Sequence, residues 1–138
     1  MAIPVPSMPA SKHIAPWLAN ISWDIVESTN KWLCQAKNAQ HGKTSDGYEK
    51  ARLLWTKKYD QSMPYEEAIE LCHQIHRMAP FLFFNGNTMA TVAQKVSQKL
   101  IVGCTPATSK VFLSTVVHYV AGTVQKIDFL QALSAISK

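Results

Sequence analysis

The stretch "FLFFNGNTMA", residues 81–90, decides the fold. Four apolar residues run into Asn85-Gly86-Asn87, and a helical apolar period then resumes with Met89, Val92, Ala93, Val96 and Leu100. Asn and Gly both tolerate left-handed backbone, and Asn85 or Asn87 can cap a helix that starts beside Thr88. The stretch therefore predicts a tight corner between two buried helices.

The same period continues on both sides of the corner. Upstream, "SMPYEEAIELCHQIHRMA" opens with Ser62 and an early Pro64 and places Glu66 and Glu67 near the positive end of a helix. Ala68, Leu71, Cys72, Ile75 and Met78 form its apolar stripe. "SDGYEKARLLWTKKY", after a Ser45 or Asp46 cap, puts Tyr48, Ala51, Leu54, Trp55 and Tyr59 on one side. "SWDIVESTNKWLCQAKNAQHG" predicts a first helix capped by Ser22, stopped by Gly42, and buried through Ile25, Thr29, Trp32, Leu33, Ala36 and Ala39.

Downstream, Gly103 ends the helix that follows the corner, and Thr105-Pro106 reads as a cap followed by a first helical proline. The segment from there to about Val124 is apolar on nearly every side, which predicts a central, most buried fifth helix. Asp128 is expected to cap a last short helix carrying Phe129, Leu130, Leu133 and Ile136. With no alternating strand pattern, hairpin signal or internal repeat, the expectation is an all-α, single-domain bundle of five to six helices over residues 20–138.

Residues 1–19 read differently. Pro4, Pro6, Pro9 and Pro16 fix φ and remove backbone donors, which predicts an extended proline-rich arm. Its apolar residues, Ile3, Val5, Met8, Ile14, Trp17 and Leu18, are too many for a solvated linker. The arm is expected to dock on its own domain or on other protein chains in a homo- or hetero-oligomer.

Cys34, Cys72 and Cys104 are odd in number, widely spaced and without a C-x-x-C pair, so they read as reduced thiols rather than a disulfide framework or zinc ribbon. The N-terminus lacks both a basic region and an unbroken apolar run, a poor signal peptide. The run Val111 to Val124 is interrupted by Ser114, Thr115, His118 and Tyr119 and falls short of the roughly 20 residues of a spanning helix. A soluble, cytoplasmic chain without a membrane partner is expected.

The net charge of +5 is unevenly placed. Residues 1–70 hold eight basic and eight acidic side chains, whereas Arg77, Lys95, Lys99, Lys110, Lys126 and Lys138 face only Asp128 in the second half. A one-signed face concentrates polyanions. Arg52, Lys57 and Lys58, interleaved with Trp55 and Tyr59, and Lys95 and Lys99, beside Gln94 and Gln98, are therefore the candidate nucleic-acid-binding residues, for DNA or RNA.

Catalytic chemistry is poorly served. Phosphate-loop and dinucleotide glycine motifs are absent, and Ser114 and Cys104 lack a nucleophile signature. His73 and His76, one turn apart beside Cys72, have no spaced third ligand, so no metal or cofactor is expected. His118 and Tyr119 are expected to be hydrogen-bonded core residues.

Phe81, Gly86 and Asn87 superficially resemble part of the signature of the Fic nucleotidyl-transferase family. Ala79 stands at its histidine position, Thr88 at its arginine, and no acidic residue precedes Gly86, so that chemistry is missing.

Two functions follow as expectations. The first is a small basic, non-enzymatic helical subunit of a larger assembly that contacts nucleic acid; it resembles, in class only, small helical subunits such as those of CRISPR effector complexes. The alternative is a helical enzyme or ligand-binding domain with an anion site at Asn85, Gly86, Asn87 and Thr88, near His76 and His118 if the bundle gathers them.

Overall fold

A computed structural model of the chain describes residues 13–136, so Ile3, Val5 and Met8 of the arm lie outside the described residues. The remainder is helical: α1 (Trp23–Ala36), α2 (Tyr48–Lys58), α3 (Tyr65–Met78), α4 (Asn85–Leu100), α5 (Pro106–Val120) and α6 (Lys126–Ile136). Two short extended segments, β1 (Ile14–Ala15) and β2 (Met63–Pro64), pair antiparallel with Ile14 opposite Pro64. Just after β1, Leu18 is fully buried and Trp17 packs edge-on against Tyr65, so these two apolar residues join the domain's own core.

α3 and α4 form the centre. Tyr65, Ala68, Ile69, Leu71, Cys72 and Ile75 are buried on α3, and Met89, Val92, Ala93 and Val96 face them from α4. The Tyr65 hydroxyl shares a short hydrogen bond with Ser97, whose hydroxyl also bonds the Ala93 carbonyl at 2.7 Å, so both polar groups are satisfied inside the core. Tyr65 and Tyr119 have their phenols raised above the ordinary value of 10.0 by burial, and burial pushes the Cys72 thiol up to about 12. Each raised acid stays protonated in the folded chain after its unfolded counterpart has ionised. Stability is therefore full below the unfolded values and falls as pH rises above about 9. Thermal melts from neutral to strongly alkaline pH check this; a melting temperature flat above pH 10 would contradict the buried phenols.

Two expectations about faces are corrected. α5 is not the central helix: Phe112, Val116, Tyr119 and Val120 are buried, but Val111 is exposed, because α3, α4 and α6 cover only one side of it. α1 also turns its other side inward. Trp23, Val26, Asn30 and Cys34 are buried, whereas Ile25, Trp32 and Ala36 face solvent.

Three helix ends differ from expectation as well. α1 stops at Ala36, before Gly42, because Asn38 takes a left-handed conformation at φ 55° and the Ala39 N–H bonds the Cys34 carbonyl. Asp128 lies inside the first turn of α6 and accepts from the Gln125 N–H at 3.1 Å, reaching back to the cap instead of being it. Thr105, by contrast, does cap α5, accepting from the Thr108 N–H ahead of Pro106.

The segment between α1 and α2 is strapped across the corner. Thr44 N–H bonds the Pro80 carbonyl, Leu82 N–H bonds the Gly42 carbonyl, and Lys43 bridges Phe81. Gly47 lies where any side chain would meet backbone, since an added Cβ would sit 1.9 Å from the Met78 carbonyl oxygen. That close approach seats the start of α2 on the end of α3.

Candidate functional site

The corner is built from its own backbone and one side chain of α1. Asn85 is the first residue of α4, not a residue ahead of it, and the preceding Phe84 takes the left-handed conformation at φ 62°. The Asn85 side chain reaches back to Phe81, accepting from its N–H at 2.9 Å and donating to its carbonyl at 2.8 Å. Thr88 is fully buried. Its hydroxyl accepts from the Asn30 amide at 3.0 Å, and the same amide donates to the Phe83 carbonyl at 2.7 Å.

Asn30 is the hub of a longer chain of hydrogen bonds. Its carbonyl oxygen meets His41 Nδ1 at 2.8 Å and lies 3.6 Å from the Cys34 sulfur. His41 Nε2 is 3.7 Å from Glu27, which accepts from the Tyr48 hydroxyl at 2.7 Å, and Trp23 Nε1 donates to that hydroxyl at 3.1 Å. Burial, helped by the Glu27 carboxylate, raises the Tyr48 phenol. These contacts bind α1, the strap and the corner together. They occupy Asn85 and Thr88, two of the four residues of the candidate anion site, with structural work.

The other two, Gly86 and Asn87, open onto a groove of about 250 Å³ between α1, α4 and α5, lined also by Leu33, Ala90, Gln94 and Val117. His76 does reach this end of the bundle: a Cβ on Gly86 would lie 3.5 Å from its Nε2. His118 is instead exposed and holds Thr123 at 2.9 Å, contrary to a place in the core. Tyr119 is buried as expected, its hydroxyl bonded to Glu70.

A larger, open cleft of about 560 Å³ lies on the far side of His76, lined by Glu70, His73, Arg77, Tyr119 and Lys126 among others. His73 and His76 both place Nδ1 on the Val120 carbonyl, at 3.1 and 2.8 Å. A carbonyl only accepts, so each Nδ1 is the donor in its bond. His73 stacks on Tyr119, which stacks on Phe129. Glu70 is taken by Tyr119 and by Lys126 at 3.7 Å, and no hydroxyl or thiol nucleophile of Ser, Thr or Cys lines the cleft. No group of three metal-ligating side chains forms among the described residues.

The basic candidates fall into two unequal sets. On α2, Trp55 is fully buried and donates to the Ile21 carbonyl at 2.8 Å, so its ring belongs to the core. Arg52 is paired with Glu49, whose carboxylate it holds below the ordinary range; Lys57 is exposed and Lys58 half-buried. On α4 the set is cleaner. Gln94, Lys95, Gln98 and Lys99 are all exposed, and Lys110 is exposed on α5, the helix packed beside it.

Sequence reasoning missed Trp32, exposed at 63 % on α1, because its helical stripe read as the buried one. No described helix is long and apolar enough to cross a membrane. No protein-family model, curated protein or solved structure matches the chain.

Proposed function

We propose that the protein is a small non-enzymatic helical subunit of a larger assembly that contacts nucleic acid through the exposed face of α4 and the adjoining α5. One observation carries the reading: α4 presents Gln94, Lys95, Gln98 and Lys99 to solvent with Lys110 on its neighbour, and neither helix bears a carboxylate. Indeed no Asp or Glu occurs from Leu71 to Ile127. Lysines without acidic neighbours keep their charge available for phosphate, and the amides between them can reach bases. On α2, Arg52 gives part of its charge to Glu49, which makes that helix the weaker surface.

Binding of single- and double-stranded DNA and RNA across a salt series tests the proposal. Affinity should fall steeply with salt, and Lys95→Ala with Lys99→Ala should reduce the slope of log K against log salt by about 0.9 per lost contact on duplex. The double variant should melt at the parent temperature, since both side chains are exposed. No binding at low salt would overturn the reading.

A further inference from the structure

α5 and α6 meet along faces that do not fill the space between them. Ala107, Thr108, Val111 and Phe112 recur at helical spacing on the first turns of α5, and Ala132, Ala135 and Ile136 do so on the last turns of α6. Between them lies a groove of about 310 Å³, where the alanines supply little bulk. Its walls carry a single polar side chain, Thr108, and no charged one among the described residues. Phe112 is fully buried at its floor, while Val111 stands 67 % exposed at its edge.

The described chain begins close to this groove. Trp17 Nε1 donates to the His13 carbonyl at 2.7 Å, and the Trp17 ring packs edge-on against Tyr65, which in turn meets Phe112. The centroid distances of 5.4 and 6.2 Å put the groove floor within about 12 Å of the Trp17 ring. A polyproline-type chain advances about 3.1 Å per residue, so about four residues cover that span. Residues 1–12, "MAIPVPSMPASK", lie ahead of His13, and Lys12 is their only charged side chain.

An apolar, uncharged groove suits that composition for two reasons. Proline has no N–H, so burying Pro4, Pro6 and Pro9 brings fewer donors into a place that offers almost no acceptor. Proline also holds the chain near an extended form, which lowers the ordering cost of docking. A second copy of the chain fits less well, since a stable interface covers about 800 Å² on each partner and this groove admits only a few side chains. We propose that residues 1–12 run back along α5 and α6 and lay Ile3, Val5 and Met8 in this groove, extending the contact that Trp17 and Leu18 already make with the core. This docking is independent of what α4 binds.

Two measurements on the full chain test the docking. With Val5 replaced by the photo-cross-linker benzoylphenylalanine, irradiating an equal mixture of isotopically light and heavy chains should join position 5 to residues 107–112 or 132–136 of the same chain. Cross-links only between light and heavy chains would give the groove to a second copy, and cross-links elsewhere or none would leave it without the arm; either result overturns the proposal. The second measurement is a double-mutant cycle by chemical denaturation, pairing Val111→Ser with an arm variant carrying Ile3→Ser, Val5→Ser and Met8→Ser. Val111 is exposed in the described fold, so its variant should still fold. If the arm covers Val111, the combined change in the folding constant should depart from the product of the separate changes by roughly 2- to 100-fold, the coupling of residues in contact. A simple product would mean that Val111 faces water in the full chain and would overturn the proposal.

Discussion

Trp55→Ala will destabilise the fold by about 3–5 kcal/mol, the cost of truncating a large buried aromatic side chain. The ring is fully buried between α2 and the core, and its Nε1 satisfies the Ile21 carbonyl at 2.8 Å. Truncation leaves a cavity and a carbonyl short of its donor, and the two costs add. A domain of ordinary stability has only about 5–15 kcal/mol to lose. Chemical denaturation should show an earlier midpoint with little change in slope. A midpoint within experimental error of wild type would contradict the burial of Trp55. The contrast with Trp32 is the informative part: both are tryptophans beside lysines in the sequence, yet Trp32 is 63 % exposed and Trp32→Ala should leave the midpoint nearly unmoved.

That contrast shows where the sequence could be read and where it could not. The stripes of α3 and α4 were legible because their apolar residues keep the helical period and their other faces are polar, so only one side can be buried. α1 offered two competing stripes. The outward one, Ile25–Trp32–Ala36, has the larger apolar content, whereas the inward one includes Asn30 and Cys34. Hydrophobic periodicity ranks stripes by transfer energy and cannot see that Asn30 will find the Phe83 carbonyl and the Thr88 hydroxyl, which lie 53 and 58 residues away in sequence. α5 failed for the converse reason. Its apolar residues exceed what the packed neighbours cover, and composition alone does not say that Val111 is left outside.

The corner was legible as a corner but not in its mechanism. Asn85 and Gly86 look like the residues that take the left-handed conformation, yet Phe84 takes it. Asn85 makes this possible by closing a pair of hydrogen bonds with the Phe81 backbone, which holds the chain folded around an otherwise costly residue. Of the basic candidates, position along the chain located the lysines, while pairing decided their use. Arg52 is the one whose neighbour on the next turn, Glu49, could already be seen in the sequence.

Asn30→Ala is expected to be the most damaging substitution among the polar residues, lowering stability by about 2–4 kcal/mol. Asn30 is fully buried, and its removal strands the Phe83 carbonyl and His41 Nδ1 and takes the amide donor from the Thr88 hydroxyl. A buried polar group left without its partner costs about 1–3 kcal/mol; the Thr88 hydroxyl is fully buried, and the Phe83 carbonyl and His41 ring, partly open to water, add less. The loss should not be confined to global stability. His41 anchors the strap and the Phe83 carbonyl anchors the corner, so hydrogen exchange should quicken first at residues 41–44 and 80–88, ahead of the α3 core. Thr88→Val separates the contributions: it keeps the shape, removes one bond, and should cost less than Asn30→Ala while leaving the His41 strap protected. Equal destabilisation by the two variants, with equal exchange at the strap, would mean that Asn30 acts only through Thr88 and that the bonds to Phe83 and His41 contribute nothing.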